Sequence, residues 1–215
     1  MAKPEPFTAD GVRGFLHRAA GQAVCGLVLT HGAGGNCATP LLVGAATAFA
    51  EAGFDVLRCD LPFRQRRPTG PPSPAGATAD REGLRLAVEA MRGLGPQRVV
   101  VGGQSYGGRQ ATMLAADEPD LVAGLLLFSY PLHPPGKPDR LRKEHFPRLS
   151  VPCVFVQGAN DPFGTPAELA DAIRLIPALT EMIPVDGAGH DLKRGRIDLA
   201  PILAAVGRIA ASVNG

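Results

Sequence analysis

Short, almost continuously apolar runs alternate along the chain with longer segments that have helical periodicity. Each apolar run ends in a turn rich in glycine, proline or polar residues, which is typical of a strand buried on both faces of a sheet. The predicted strands are 24–29, 54–59, 98–102, 122–128, 153–157 and 181–185. Predicted helices cover 40–52, 77–94, 106–116, 166–175 and 197–213. This alternation predicts an α/β fold with a doubly wound, mostly parallel sheet covered by helices on both faces.

The alternation continues without an internal repeat or a linker, so residues 1–215 are expected to form one domain. Two proline-rich loops, 61–76 and 131–147, each follow the carboxyl end of a predicted strand. Because ligands of open α/β sheets bind at this edge, we expect both loops to lie over the active site as a minimal lid. Residues 11–18 precede the series and are compatible with an antiparallel edge strand.

Composition excludes several classes of protein. The chain has 215 residues, of which 45% are hydrophobic and 20% charged, and its net charge is +2, so we expect neither a nucleic-acid nor a membrane partner. The first residues have no apolar core of a signal peptide, and the apolar stretch 121–128 is too short to span a bilayer, so we expect a cytoplasmic protein. The cysteines lie far apart without metal-ligand spacing, which predicts free thiols and no metal or other cofactor.

A Gly-Gln-Ser-Tyr-Gly sequence follows the strand at 98–102 and precedes a helix. A serine in a tight strand-to-helix turn projects its hydroxyl above the sheet, and glycines are needed on both sides because a side chain there would collide with neighbouring backbone. Ser105 is therefore the candidate nucleophile, with Gly103 and Gly107 as the flanking glycines.

A serine hydroxyl becomes a good nucleophile only when a base takes its proton, and a third group must orient that base. Asp161 follows the strand at 153–157, and His190 follows the last strand. Both are expected at the same sheet edge as Ser105, in the chain order Ser, acid, His that accompanies a nucleophile in a strand-to-helix turn. Asp60 and Asp186 are the alternative acids.

Acyl transfer also needs hydrogen-bond donors for the oxyanion of the tetrahedral intermediate. We expect one donor to be the backbone N–H of Tyr106, the residue after the nucleophile. A glycine-rich loop, His31-Gly-Ala-Gly-Gly, follows the first buried strand and is the candidate source of the second donor. Within it, the N–H of Ala33 is favoured, with that of Gly34 next.

These motifs together resemble the α/β-hydrolase superfamily over nearly the whole chain from about residue 20. The phrase Gly-Gln-Ser-Tyr-Gly-Gly-Arg, ending at Arg109, is similar to the small dienelactone-hydrolase-like branch. The segment 60–67, Asp-Leu-Pro-Phe-Arg-Gln-Arg-Arg, resembles uncharacterised bacterial relatives of the testis-expressed α/β-hydrolase-like proteins. Dienelactone hydrolases themselves carry a cysteine at the turn where this chain has Ser105, so the resemblance does not imply a dienelactone substrate.

Basic residues of the first loop are candidates for substrate recognition. Arg64, Arg66 and Arg67 could bind an anionic group, since guanidinium is the preferred partner of carboxylate and phosphate, or they could form a solvated loop. Phe63 is expected at the pocket entrance with Tyr106. Arg109, one turn into the helix after the nucleophile, is expected to donate structural hydrogen bonds beneath the loops rather than to bind substrate.

The sequence therefore predicts a serine hydrolase that cleaves a small carboxylic ester, thioester or related acyl compound through an acyl-enzyme on Ser105. Its expected partner is a small-molecule acyl substrate. One alternative is a hydrolase-like binding or scaffold module without catalytic activity, because fold does not guarantee function. The other is an acyltransferase or peptidase with the same Ser-His-Asp set.

Overall fold

The computed structural model describes residues 3–193 and 197–211, and within them an eight-stranded sheet forms the centre of the fold. Its strands are β1 (Glu5–Ala9), β2 (Val12–His17), β3 (Cys25–Thr30), β4 (Phe54–Cys59), β5 (Val99–Gln104), β6 (Gly124–Phe128), β7 (Cys153–Gly158) and β8 (Thr180–Val185). Their spatial order is β1-β2-β4-β3-β5-β6-β7-β8. Strands β3 to β8 are parallel, and β1 and β2 are antiparallel to their neighbours. The predicted mostly parallel sheet is confirmed.

Helices cover both faces of this sheet. They are α1 (Pro40–Glu51), α2 (Pro62–Arg66), α3 (Ala77–Gly93), α4 (Tyr106–Asp117), α5 (Pro166–Ile173) and α6 (Leu199–Ala211). Leu29 of β3 packs in one apolar cluster with Phe49 of α1 and Val206 of α6. Val28, the neighbour of Leu29, lies in a second cluster with Leu84 of α3. Successive residues of the strand face opposite clusters, which explains why its sequence is apolar throughout.

The structure differs from the prediction at the amino-terminal edge. Residues 11–18 contribute β2, but β2 is an inner strand, because the unpredicted β1 pairs with it and forms the edge. Asp10 and Gly11 both have positive φ and connect the two strands as a two-residue turn. An Asp-Gly pair is a strong hairpin signal, so the sequence did contain a clue to β1. Its strand pattern is weak because β1 is largely exposed and contains Pro6.

The proline-rich loop 61–76 contains helical structure that the sequence did not predict. It contains α2 and a single 3-10 turn, Pro74–Gly76, directly before α3. A proline at the first position of each fits a helix start, because its missing N–H would have no partner there. The last predicted helix, 197–213, is observed as α6, and residues 212 and 213 lie outside the described part of the chain.

Within the described ranges, no helix is both long and apolar enough to cross a membrane; the longest is α3, with 17 residues. The cysteines at positions 25, 37, 59 and 153 are all free and buried. Burial raises the thiol pKa of each of them, which disfavours the nucleophilic thiolate.

Candidate active site

Ser105 occupies a tight turn between β5 and α4. Its backbone has φ 50° and ψ −115°, a conformation that L-residues rarely adopt. The two glycines of the motif make this turn possible. A Cβ on Gly103, whose φ is 151°, would lie 2.1 Å from the carbonyl oxygen of Thr30, and a Cβ on Gly107 would lie 2.6 Å from that of His31. The turn therefore requires both glycines for steric reasons.

The side chains of Ser105, His190 and Asp161 form a continuous hydrogen-bonded chain. Ser105 Oγ lies 2.8 Å from His190 Nε2, and His190 Nδ1 lies 2.9 and 2.8 Å from the two oxygens of Asp161. A carboxylate only accepts hydrogen bonds, so Nδ1 of His190 is the donor and Nε2 is left to accept from the serine hydroxyl. This is the protonation state that a base for Ser105 needs.

Asp161 is the least exposed of these three residues, with a relative exposure of 2%. Its oxygens also accept hydrogen bonds from the backbone N–H of Phe163 at 2.8 Å and from Nε2 of Gln157 at 3.0 Å. The ring of Phe163 stacks on the His190 imidazole with 4.0 Å between centroids. These contacts fix both the carboxylate and the imidazole.

Neither alternative acid takes the place of Asp161. Asp186 is exposed, and Asp60 accepts a hydrogen bond from the backbone N–H of Cys37 beside His31. Sequence reasoning missed Gln157 and Phe163. A buried amide at the end of an apolar strand was the available signal for Gln157, because a buried polar side chain needs partners.

His31 fixes the first peptide group of the glycine-rich loop. The backbone N–H of Leu61 donates to its Nε2 at 3.1 Å, so the proton of the ring lies on Nδ1, which donates to the carbonyl of Gly32 at 2.8 Å. Burial lowers the pKa of His31 and keeps the ring neutral. In a trans peptide the C=O and the following N–H point in opposite directions. The N–H of Ala33 therefore points away from the imidazole.

Arg64 fixes the next peptide groups of the same loop from below. Its guanidinium donates to the carbonyl of Ala33 at 2.8 Å and to that of Gly35 at 2.7 Å. It also donates to the carbonyls of Arg67 and Gly70, at 3.3 and 3.1 Å. Because the Ala33 carbonyl faces Arg64, the N–H of Gly34 faces the opposite side.

This placement corrects the prediction that Arg64 and Phe63 contact substrate. Arg64 is 6% exposed and its donors are used by backbone carbonyls, while Phe63 is 3% exposed and packs edge-on against His31 and Tyr106. Both lie beneath the loop because the turn of α2 directs them inward, which the loop sequence alone did not reveal. Arg66 and Arg67 are exposed and lie outside the residues that line the cavity.

A cavity of about 1050 Å³ opens above Ser105 and His190. Ala33 and Gly34 line it together with Tyr106, so all three predicted oxyanion donors belong to residues at the cavity wall. Both proline-rich loops contribute, with 71–74 on one side and Pro131 and Arg142 on the other. Among the described residues, no group of three or more His, Cys, Asp or Glu side chains is arranged to hold a metal ion.

Asp80, at the start of α3, is a second buried carboxylate close to the site that the sequence did not identify as important. It accepts a hydrogen bond from the Tyr106 hydroxyl at 2.8 Å and another from the backbone N–H of Phe63 at 3.0 Å. Burial, followed by the hydrogen bond to Asp80, raises the pKa of Tyr106. The phenol of Tyr106 is therefore neutral and held in place in the cavity wall.

Comparison with known proteins gives a consistent result. A model of the alpha/beta hydrolase domain family matches residues 23–210. ABHD14B of Pongo abelii, whose name gives it provisionally as a protein-lysine deacylase, is 28% identical over 171 residues, which are 79% of this chain and 76% of that protein. The structure of Est1E from Butyrivibrio proteoclasticus has a TM-score of 0.74 at 14% identity and covers 98% of both chains. Dienelactone hydrolase from Anabaena variabilis ATCC 29413 has a TM-score of 0.67 at 19% identity, over 98% of this chain and 96% of that one. At these identities the two structures show a shared fold.

Proposed function

The chain belongs to the alpha/beta-hydrolase family, and on that premise we propose that it is a serine hydrolase that cleaves a small carboxylic ester, thioester or related acyl compound. The observation that carries the proposal is the hydrogen-bonded chain from Ser105 through His190 to Asp161, with 2.8 Å between the serine oxygen and the imidazole nitrogen. This distance lies within the reach that proton transfer to a general base requires.

In the first half of the reaction, Ser105 Oγ attacks the acyl carbon as its proton moves to Nε2 of His190. Asp161 keeps the proton of the imidazole on Nδ1 and stabilises the imidazolium that forms. The imidazolium then donates its new proton to the departing alcohol, thiol or amine. This step leaves the acyl group covalently bound to Ser105.

The negative charge of the tetrahedral intermediate falls on the substrate oxygen, where backbone N–H groups stabilise it. We assign these donors to Tyr106 and to Ala33, with Gly34 as the alternative to Ala33. His31 and Arg64 hold the loop carbonyls from the other side, so the loop N–H groups need not reorganise during the reaction. In the second half, water attacks the acyl-enzyme with His190 again as base.

The cavity and the relatives support the range of acyl compounds that we propose as substrates. The cavity of about 1050 Å³ is lined mainly by small and apolar residues and is only partly covered by loops, which suits small or exposed acyl groups. The name of ABHD14B adds acylated lysine amides to the compounds worth testing. A screen of p-nitrophenyl esters of graded chain length, with an acetyl-lysine peptide alongside, would order these classes.

A fluorophosphonate probe tests the proposal directly, because it modifies only an activated serine. We expect the wild-type protein to be labelled, Ser105→Ala to be unlabelled, and hydrolysis of p-nitrophenyl acetate to disappear with the label. Ser73→Ala is a matched control, since Ser73 is an exposed serine that lines the same cavity. An unlabelled wild-type protein would favour a binding module instead, and labelling that survives Ser105→Ala would exclude Ser105 as the nucleophile.

A further inference from the structure

One face of α4 forms a wall of the cavity beyond the nucleophile. Tyr106, Arg109, Gln110 and Met113 all line the cavity, at the spacing that places side chains along one side of a helix. The cavity therefore extends along α4 away from Ser105. Arg109 stands one helical turn from the nucleophile, and its backbone N–H donates to the Ser105 carbonyl at 2.9 Å. Four residues correspond to a rise of about 6 Å along the helix axis.

The guanidinium of Arg109 has no hydrogen-bond or ion-pair partner among residues 3–193 and 197–211. Its Nε is buried without a partner, although the residue lines an open cavity. This contradicts the expectation that Arg109 donates structural hydrogen bonds beneath the loops. A charged donor group that is partly desolvated and unpaired is costly to the folded protein. Arg64 of α2 shows the alternative, because each of its three guanidinium nitrogens donates to at least one backbone carbonyl.

Arg142 approaches the same place from the loop between β6 and β7. Its backbone is held at both ends, by its N–H to the Leu132 carbonyl at 2.7 Å and by its own carbonyl, which accepts from the Tyr130 hydroxyl at 2.7 Å. Its guanidinium makes one hydrogen bond, to the Pro131 carbonyl at 3.2 Å. Burial, and then the positive charge of Arg109, lower the pKa of Arg142. Two like charges thus lie near each other among the residues that line the cavity.

Among the described residues, no carboxylate forms an ion pair with Arg109 or Arg142. The one acidic side chain that lines the cavity is Asp191, which lies 3.5 Å from Lys193. His145, next to α4, is buried and hydrogen-bonded to Thr112 at 2.8 Å, and burial followed by the charge of Arg109 lowers its pKa to about 4. It is therefore neutral near pH 7. Both guanidinium groups belong to residues that line the cavity, and neither is ion-paired with a described carboxylate; the nearby Glu144 acts on His145 and Tyr130.

We propose that Arg109 and Arg142 form a subsite for a carboxylate group of the substrate, so that the preferred substrates are esters or related acyl compounds with a carboxylate about one helical turn from the scissile carbonyl. This inference rests on the proposed function and names its substrate class. Guanidinium groups bind carboxylate through paired, charge-assisted hydrogen bonds. An anion between the two arginines also removes their mutual repulsion. The sequence suggested an anion-binding role for Arg64, Arg66 and Arg67, whereas the proposed subsite gives this role to Arg109 and Arg142.

The test compares matched esters in the wild-type protein and in variants. Mono-p-nitrophenyl esters of succinate, glutarate and adipate are paired with neutral p-nitrophenyl esters of the same chain length, and 4-acetoxybenzoate is paired with phenyl acetate. We expect kcat/KM for the best anionic ester to exceed that of its neutral partner by about tenfold or more, the scale of one charge-assisted hydrogen bond. Equal values for all pairs would overturn the subsite while leaving hydrolysis itself in place.

The variants test whether Arg109 and Arg142 cause the preference for anionic esters. Arg109→Gln and Arg142→Gln should each lower the anionic-to-neutral ratio toward one, and Arg109→Lys should keep part of it. Arg140→Gln is the matched control, because Arg140 is an exposed arginine of the same loop that lies outside the cavity lining. A ratio that falls equally in Arg140→Gln would show a general charge effect and exclude the subsite. Thermal unfolding checks that each variant is folded.

Binding of glutarate, measured by titration calorimetry, separates this inference from the proposed function. Glutarate binding that is lost in Arg109→Gln supports the subsite even if no ester is hydrolysed and no probe reacts, in which case only the proposed function fails. Hydrolysis of neutral esters without glutarate binding or a preference for anionic esters would support the proposed function and overturn the carboxylate subsite. Hydrolysis with both readouts sensitive to Arg109 supports the two proposals together.

Discussion

Replacing Arg64 by methionine tests whether the glycine-rich loop is held in place from below. The guanidinium is 6% exposed and donates to four backbone carbonyls, two of them at 2.7 and 2.8 Å in the loop that faces Ser105. Methionine fills a similar length of space but donates nothing. The carbonyls of Ala33 and Gly35 would then be left without donors in a region that water reaches poorly.

Two separate losses are expected. A hydrogen bond to a charged group contributes about 1.5–3 kcal/mol, so loss of the two short bonds should lower the free energy of unfolding by about 3–6 kcal/mol. If the peptide after Ala33 then rotates, the loop N–H groups no longer face the oxyanion. Removal of one oxyanion donor costs about 10²–10³-fold in kcat. We therefore expect Arg64→Met to lose activity at temperatures where it remains folded.

The assay is p-nitrophenyl acetate hydrolysis, with kcat and KM measured separately, alongside urea unfolding. Arg67→Met is the matched control, since Arg67 is exposed and, within the described part of the chain, its side chain donates only to the Pro71 carbonyl. Arg64→Lys, which keeps the charge but not the fork of donors, covers the case in which the methionine variant does not fold. A folded Arg64→Met with wild-type kcat would show that the loop keeps its conformation without the guanidinium. A rise in KM confined to anionic esters would instead restore Arg64 as a substrate ligand.

Three further predictions follow from the same contacts. Gly103→Ala should abolish folding or lower Tm by many degrees, because its Cβ would collide with backbone at 2.1 Å; a soluble variant with an unchanged melting curve would contradict this. Asp161→Asn should reduce kcat on the order of 10⁴-fold with little change in KM, because an amide no longer fixes the proton of His190 on Nδ1; steady-state kinetics near wild type would move the acid role elsewhere. Burial holds the pKa of His145 at about 4, below the roughly 6.5 of the unfolded chain. The stability that comes from its neutral form is therefore fully present above pH 6.5. It is lost, by roughly 2–3 kcal/mol, as the pH falls toward 4. Urea unfolding at pH 7 and pH 4.5 should show a smaller difference in His145→Gln than in the wild type.

Most of the sheet was predictable because its strands are buried on both faces. β4, for example, was predicted with its observed bounds, Phe54–Cys59, since every residue in it is buried. β1 escaped prediction because its stability comes from pairing with β2 rather than from an apolar face of its own. The α/β-hydrolase resemblance drawn from the motifs is confirmed by the family match over residues 23–210.

The positions of Ser105, Asp161 and His190 followed from topology. Parallel strands end at one edge of the sheet, so residues directly after β5, β7 and β8 must meet there, whatever the loops between them do. The supporting residues could not be placed in the same way. Gln157 acts through a side chain at the end of β7, and its partners at Tyr130 and Gly164 are adjacent only in the folded protein.

The arginines show why side-chain roles were harder to predict than positions. Arg64 lies beside a loop whose carbonyls are not bonded within a helix or strand, and buried carbonyls of this kind need donors, so its guanidinium is taken up by the backbone. Arg109 lies in α4, where the backbone carbonyls already accept hydrogen bonds from N–H groups along the helix, so they do not need a guanidinium as donor. Its positive charge is therefore unpaired among the described residues and lies beside the cavity. In the subsite that we propose, the secondary structure around each arginine, rather than the number of arginines in a loop, determines which guanidinium is left unpaired for an anion.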